Sequence, residues 1–101
     1  MINPLEMLRN LQDIQSKADT MKVKLAQIRC TGYAMGNMIE VVATGDLKVE
    51  SIKIDPSIVR EGQEPMLEVL VASAVNNAFE LVRERISDEL RQAGGQFGVS
   101  L

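Results

Sequence analysis

From Met7 onward the apolar positions fall at Met7, Leu11, Ile14, Ala18, Met21, Leu25 and Ile28, in alternating steps of four and three. That is a heptad seam sustained over three repeats, and it predicts a helix across residues 4–28. At about 1.5 Å per residue the rod would be roughly 37 Å long. Asn3 can cap it, Pro4 is tolerated at the first helical position, and Glu6 complements the positive end of the helix dipole. A seam this narrow on a rod this long outreaches what a small globule can wrap. Part of the helix is therefore expected to project and to pair with one other helix.

The period then changes. Arg29 to Met35, with Cys30, Thr31 and Tyr33, reads as a first strand, and Gly36-Asn37 as a hairpin turn. Met38 to Thr44 is a second strand with Ile39, Val41 and Ala43 on one face, and Gly45-Asp46 is the next turn. A third strand is expected over Leu47 to Ile54, but its parity is broken. Leu47 and Val49 alternate on one face, Ile52 and Ile54 on the other. A bulge near Glu50-Ser51 would restore a single apolar face, or else the two ends serve different cores. Asp55-Pro56-Ser57 stops the strand, Asp55 being placed to accept from backbone donors in the turn. A short helical turn is expected over Ser57 to Arg60.

The second long helix is expected from about Glu64-Pro65 to Gln92, stopped by Gly94-Gly95. It has two apolar rows: Leu67, Val71, Ala74, Ala78, Leu81, and Val75, Phe79, Val82, Ile86, Leu90. A surface helix needs one apolar face. Two rows imply burial on the sheet along one side and on another helix or a second subunit along the other. Val71, Ala74, Val75, Ala78 and Phe79 are the dimerisation candidates. Asn76-Asn77 interrupts the apolar run, either as a buried amide fixing register across a dimer or as one solvated residue beside one that bonds a strand end. Residues 1–95 form one expected domain, and 96–101 an expected mobile tail.

Composition narrows the function. The chain has 101 residues, 46% hydrophobic but only 3% aromatic, so the core is built from Leu, Ile, Val, Met and Ala. The net charge is −3, which argues for solubility and against a generally basic nucleic-acid binder. One cysteine permits no internal disulfide, and a reducing, cytoplasmic setting is expected. The start lacks the pattern of a signal peptide, and no consecutive apolar run is long enough for a membrane span. With no histidine, Cys30 lacks the usual activating base, Asp55 has no catalytic partner, and no metal-ligand spacing is present. Neither catalysis, a cofactor, a metal nor a small-molecule substrate is expected.

The string Ile54-Asp55-Pro56-Ser57-Ile58-Val59, followed by Met66-Leu67-Glu68 and Leu70 to Ala78 with its Ala-x-Asn-x-Ala core, resembles the YbaB/EbfC family of bacterial nucleoid-associated proteins. Gly32 ahead of Val41 and Gly45, the heptad-like first helix and the total length fit the same pattern. The resemblance runs from about Leu5 to Leu90. It implies an α+β homodimer shaped like tweezers, with sheets and second helices as the shared body and helical arms projecting. It also implies double-stranded DNA binding between or along the arms, an influence on nucleoid organisation and gene expression, and no enzymatic activity.

Positive charge for that role is found on both helices. Arg9, Lys17, Lys22 and Lys24 lie on the first, and Arg83, Arg85 and Arg91 on the distal half of the second, where acids are interspersed. Antiparallel arms would bring Arg9 and Lys17 near Arg83, Arg85 and Arg91, and two subunits would double the set. No recognition-helix signature or aromatic stacking platform is present, so weak, shape-driven binding is expected. The competing reading is a dimeric scaffold or chaperone-like clamp whose apolar seam grips a protein.

Overall fold

The structure, a computed structural model, describes residues 3–96. Helix α1 (Pro4–Ala26) leads into strands β1 (Arg29–Ala34), β2 (Ile39–Thr44) and β3 (Val49–Ile54). A single 3-10 turn (Pro56–Ile58) and helix α2 (Glu64–Gln96) complete the chain. The sheet is an antiparallel meander in the order β1-β2-β3. The expected α+β architecture is therefore present, and the expected dimer is outside what one chain displays. The tail expected over 96–101 lies outside the described residues except for Gln96, which is helical. The Gly94-Gly95 pair does not stop α2 at Gln92, since the helix passes through it to Gln96.

Local signals account for most of the boundaries. Asn3 caps α1, its side chain accepting from the Leu5 N–H at 3.0 Å. The first hairpin has four connecting residues instead of two. Met35 and Gly36 both take positive φ, and the Met38 N–H donates to the Met35 carbonyl at 3.3 Å. In the second turn it is Leu47 that adopts positive φ, at 62°, so β3 starts at Val49.

The break in parity along β3 is a bulge. Val42 pairs with Ser51 and Ala43 with Val49, leaving Glu50 without a partner in the ladder. Val49, Ile52 and Ile54 thereby stand opposite Ala43, Val41 and Ile39, on one face. The displaced Glu50 carboxylate takes the Arg29 Nε at 2.9 and 3.0 Å, and that hydrogen bond, with the charge behind it, raises the Arg29 pKa.

Helix α2 lies over β1 and β2. Ile39, Val41, Ala43, Ala74, Ala78 and Val82 are wholly buried between them. The buried stripe thus cuts across the two rows expected from sequence: Val82 turns to the sheet, while Leu81 is 42% exposed. The close approach is possible because Gly32 lies under Ala74 and Ala78. By length and composition Glu64–Gln92 could cross a membrane, although no run of consecutive apolar residues suggested it. Here Ala74 and Ala78 face the sheet, and Glu68, Asn76, Asn77 and Glu80 occupy its other sides.

The sheet is only partly covered. Val49, Ile52 and Ile54 share the face on which α2 sits, yet they are 40%, 47% and 36% exposed. On α2, Asn77 and Leu81 border β1 beside Thr31 and Tyr33. At about 100° per residue, Val75, Phe79 and Ile86 must look the other way, across β2 toward β3. An open apolar trough results, floored by β3 and walled by half-buried Val75 and Phe79.

The turn between sheet and α2 depends on Asp55, which accepts from the Ser57 N–H at 2.8 Å. Hydrogen bonds from Ser57 hold this carboxyl below the ordinary aspartate value of 3.8. The native chain then binds its proton less readily than the unfolded chain. The resulting stability is complete above the ordinary pKa and is lost as pH falls through the lowered native value. Asp55→Asn keeps an acceptor for Ser57 but cannot titrate. Urea unfolding measured below about pH 5 should accordingly lose stability less steeply in the variant than in the parent.

Candidate nucleic-acid interface

Both helices leave the body at the same end. Leu25 abuts Gly45 where α1 enters the sheet, and Lys24 of α1 lies 3.0 Å from Glu89 of α2. Farther out, Ile14, Lys17, Ala18 and Met21 meet Leu90 along an open cleft. The long dimension of the chain is 71 Å against 22 and 17 Å across, with a radius of gyration of 19.8 Å. A compact domain of 100 residues would have about 13 Å. The helices project.

Helix α1 buries none of its residues. Met7, Leu11 and Ile14 of its seam are more than half exposed, whereas Met21 and Leu25 are half-buried and Ile28, just beyond the helix, is buried. Within the single chain, the seam packs on another helix only near the body.

The seven candidate cations divide by partner. Glu89, with only 13% of its side chain exposed, is shared by Lys24 and by Arg85 at 3.7 Å. The Lys24 ammonium lies 3.0 Å from the shielded Glu89 Oε2. Arg91 pairs with Asp88 one turn back. Arg9, Lys22 and Arg83 form no ion pair among the described residues. Lys17 stands at the α1–α2 cleft. The helical period places Arg9, Lys17 and Lys24 within an arc of about 80°, with Lys22 on the other flank of the seam. Arg9 does not come beside Arg91 as expected. Fifteen residues of α1 separate it from Lys24, about 22 Å, while Arg91 is two residues from Glu89.

The charge is unevenly distributed. Helix α1 carries four cations against three acids, although the whole chain has 11 against 14. Residues 27–79 carry four cations against seven acids, and the distal half of α2, residues 80–96, carries three against four.

Of the dimerisation candidates, Ala74 and Ala78 are fully covered by the chain's own sheet and leave no surface for a second copy. Val71, Val75 and Phe79 are half-buried beside them. Asn77 donates from Nδ2 to the Tyr33 carbonyl at 2.9 Å and so ties α2 to the edge strand, while Asn76 is exposed in the single chain. Sequence reasoning missed Arg29 and Glu50 as a pair and the bare inner face of β3. The parity break marked the bulge, but nothing in the sequence marked which strands α2 would cover.

Two long helices project from a small antiparallel sheet, with cations along their flanks. A family model for the YbaB/EbfC DNA-binding family matches residues 1–97. A nucleoid-associated protein of Rickettsia rickettsii is 37% identical over 93 residues, covering 92% of this chain and 87% of the relative. One from Rickettsia felis is 36% identical over 101 residues, covering 100% and 92%. The chain belongs to the YbaB/EbfC DNA-binding family. Its fold is also that of a crystal structure of an uncharacterized protein from Helicobacter pylori, with a TM-score of 0.73 at 19% identity, covering 92% of this chain and 98% of the other.

Proposed function

We propose that the protein is a non-enzymatic nucleoid-associated protein of the bacterial cytoplasm. It binds double-stranded DNA as a homodimer, through cations on paired helical arms, and so influences nucleoid organisation and gene expression. The observation that carries the dimer is the trough between β3 and α2. A strand with Val49, Ile52 and Ile54 uncovered beside Val75 and Phe79 is half of a core, and a second copy supplies the missing half. Family membership carries the DNA. The contacts go to phosphates from the arc of Arg9, Lys17 and Lys24, joined by Lys22, Arg83, Arg85 and Arg91 as the duplex reaches them. Ion pairing already occupies Lys24, Arg85 and Arg91, whereas Arg9 forms no ion pair among the described residues and Lys17 lies on the same arc of α1 as Arg9.

A salt titration tests this. Binding through phosphates loses affinity linearly on logarithmic axes, with a slope of about 0.9 per phosphate contacted. Arg9→Glu with Lys17→Glu should weaken binding to random and defined duplexes alike. Counting both copies, the slope should shrink by about four. An unchanged slope and affinity would remove these residues from the interface. The bare α1 seam favours a second reading, a clamp gripping apolar protein segments, and such a clamp would bind its partner with little dependence on salt.

A further inference from the structure

The first half of α1 carries the densest run of bare hydrocarbon among the described residues. Leu5, Met7, Leu8, Leu11 and Ile14 are between 53% and 65% exposed. Beyond the cleft at Leu90, α2 continues for six residues, about 9 Å, whereas α1 continues from Ala18 to Pro4, about 21 Å. Among the described residues, no helix of the same chain lies beside the outermost turns of α1.

The residues bordering the seam say what could cover it. In the inner half they are Lys17, Lys22 and Lys24, and in the outer half Leu8, Asn10 and Gln15. Two copies of α1 packed parallel along their whole length would set Lys17 of one against Lys22 of the other in the inner half, which like charge disfavours. Packed antiparallel about Leu11, they overlap over residues 4–18. The borders are then neutral apart from Lys17 at the ends of the overlap, Lys22 and Lys24 fall outside it, and Leu8 widens the apolar strip. Outward-facing Arg9 of one helix stands level with Asp13 of the other, and the two helix dipoles oppose. A bilayer fits less well, because residues 4–16 carry Glu6 and Asp13 against one cation, Arg9.

We propose that the α1 tips of two copies pair antiparallel, centred on Leu11, and so join one assembly unit to the next. Pairing at the tips does not require the trough dimer. If that dimer forms, tip pairing links dimers and can bridge two duplexes; if it does not, tip pairing links monomers.

Sedimentation equilibrium over rising protein concentration reads the outcome. The expected wild-type mass climbs to at least twice that of the unit present at low concentration. Leu8→Gln with Leu11→Gln adds no charge and keeps helix-forming residues. It should abolish the climb while leaving the melting curve, the low-concentration mass and DNA affinity unchanged. Val23→Gln, which removes an equally exposed side chain off the seam, should climb like the wild type. In a Cys30→Ser background, Leu11→Cys should give a disulfide-linked pair under mild oxidation and Ala18→Cys should not. A climb that survives in the double variant, or is lost in Val23→Gln, overturns the proposal, as does equal cross-linking at both positions. So does a wild-type mass that never climbs. In that case, a climb gained on truncation after Gln96 would assign the seam to residues 97–101. Binding to phosphatidylglycerol vesicles, lost in the double variant, would assign it to a bilayer.

Discussion

Gly32→Ala should lower the melting temperature by roughly 12 °C or more, with the variant and parent compared at equal concentration. A Cβ at this position would lie 2.3 Å from both the Ala74 carbonyl oxygen and the Ala78 nitrogen, and 2.8 Å from the Ala78 Cα. All three are backbone atoms of one helix, so no side chain can swing aside to make room. The helix must lift away from β1, and the contacts of Ile39, Val41, Ala43 and Val82 loosen together because they share that interface. Overfilling a packed core costs about 1–3 kcal/mol and sometimes more. A clash with backbone belongs at the upper end, and about 3 kcal/mol is a large share of the stability of a domain this size. At about 4 °C or more per kcal/mol, the shift in melting follows. Gly36→Ala provides the contrast. It has nothing within 4 Å and only its positive φ to lose, so about 1–2 kcal/mol is expected. Equal effects of the two substitutions would mean that α2 does not rest on Gly32 in solution.

The second large effect is expected at Ile52. It lies in the middle of β3, opposite Val41 and on the covered side of the sheet, yet 47% exposed in the single chain. Ile52→Lys should barely change folding of the monomer, because the ammonium can reach water from an uncovered strand. In a symmetric dimer through the trough, each copy would bring the same lysine into the same apolar contact. Two buried, unpaired charges are expensive, and an expected loss of about 3 kcal/mol or more corresponds to over a hundredfold weaker association. The species should fall from about twice the 11.1 kDa chain mass to a folded monomer. A variant that remains dimeric would place the interface elsewhere. A parent that is monomeric at micromolar concentration would take the trough out of the proposal altogether.

How far the sequence could be read depended on whether the deciding contact was local. The N-cap at Asn3, the acceptor role of Asp55 and the bulge at Glu50 each follow from a few neighbouring residues, and each is where the pattern placed it. The end of α2 misled, because glycines at positions 94 and 95 stop a helix only where the chain beyond takes another course. The split of α2 into two rows was less informative. It identified an element buried on more than one side, but the face toward the sheet was chosen by Gly32, more than forty residues away, through its fit beneath Ala74 and Ala78. The cations were visible as a set. Arg85 with Glu89 and Arg91 with Asp88 follow from spacing along α2, whereas Lys24 with Glu89 depends on the register between α1 and α2, which no heptad count supplies.

The outline of the chain bears on how any of its assemblies should be weighed. With a length more than three times either width, the protein meets more friction than a sphere of the same mass. On a calibrated gel-filtration column even a lone chain would elute early, in the range of a larger globular standard. Retention volume would then report a dimer where none exists. Light scattering or sedimentation equilibrium, neither of which depends on outline, can tell a long monomer from a short pair.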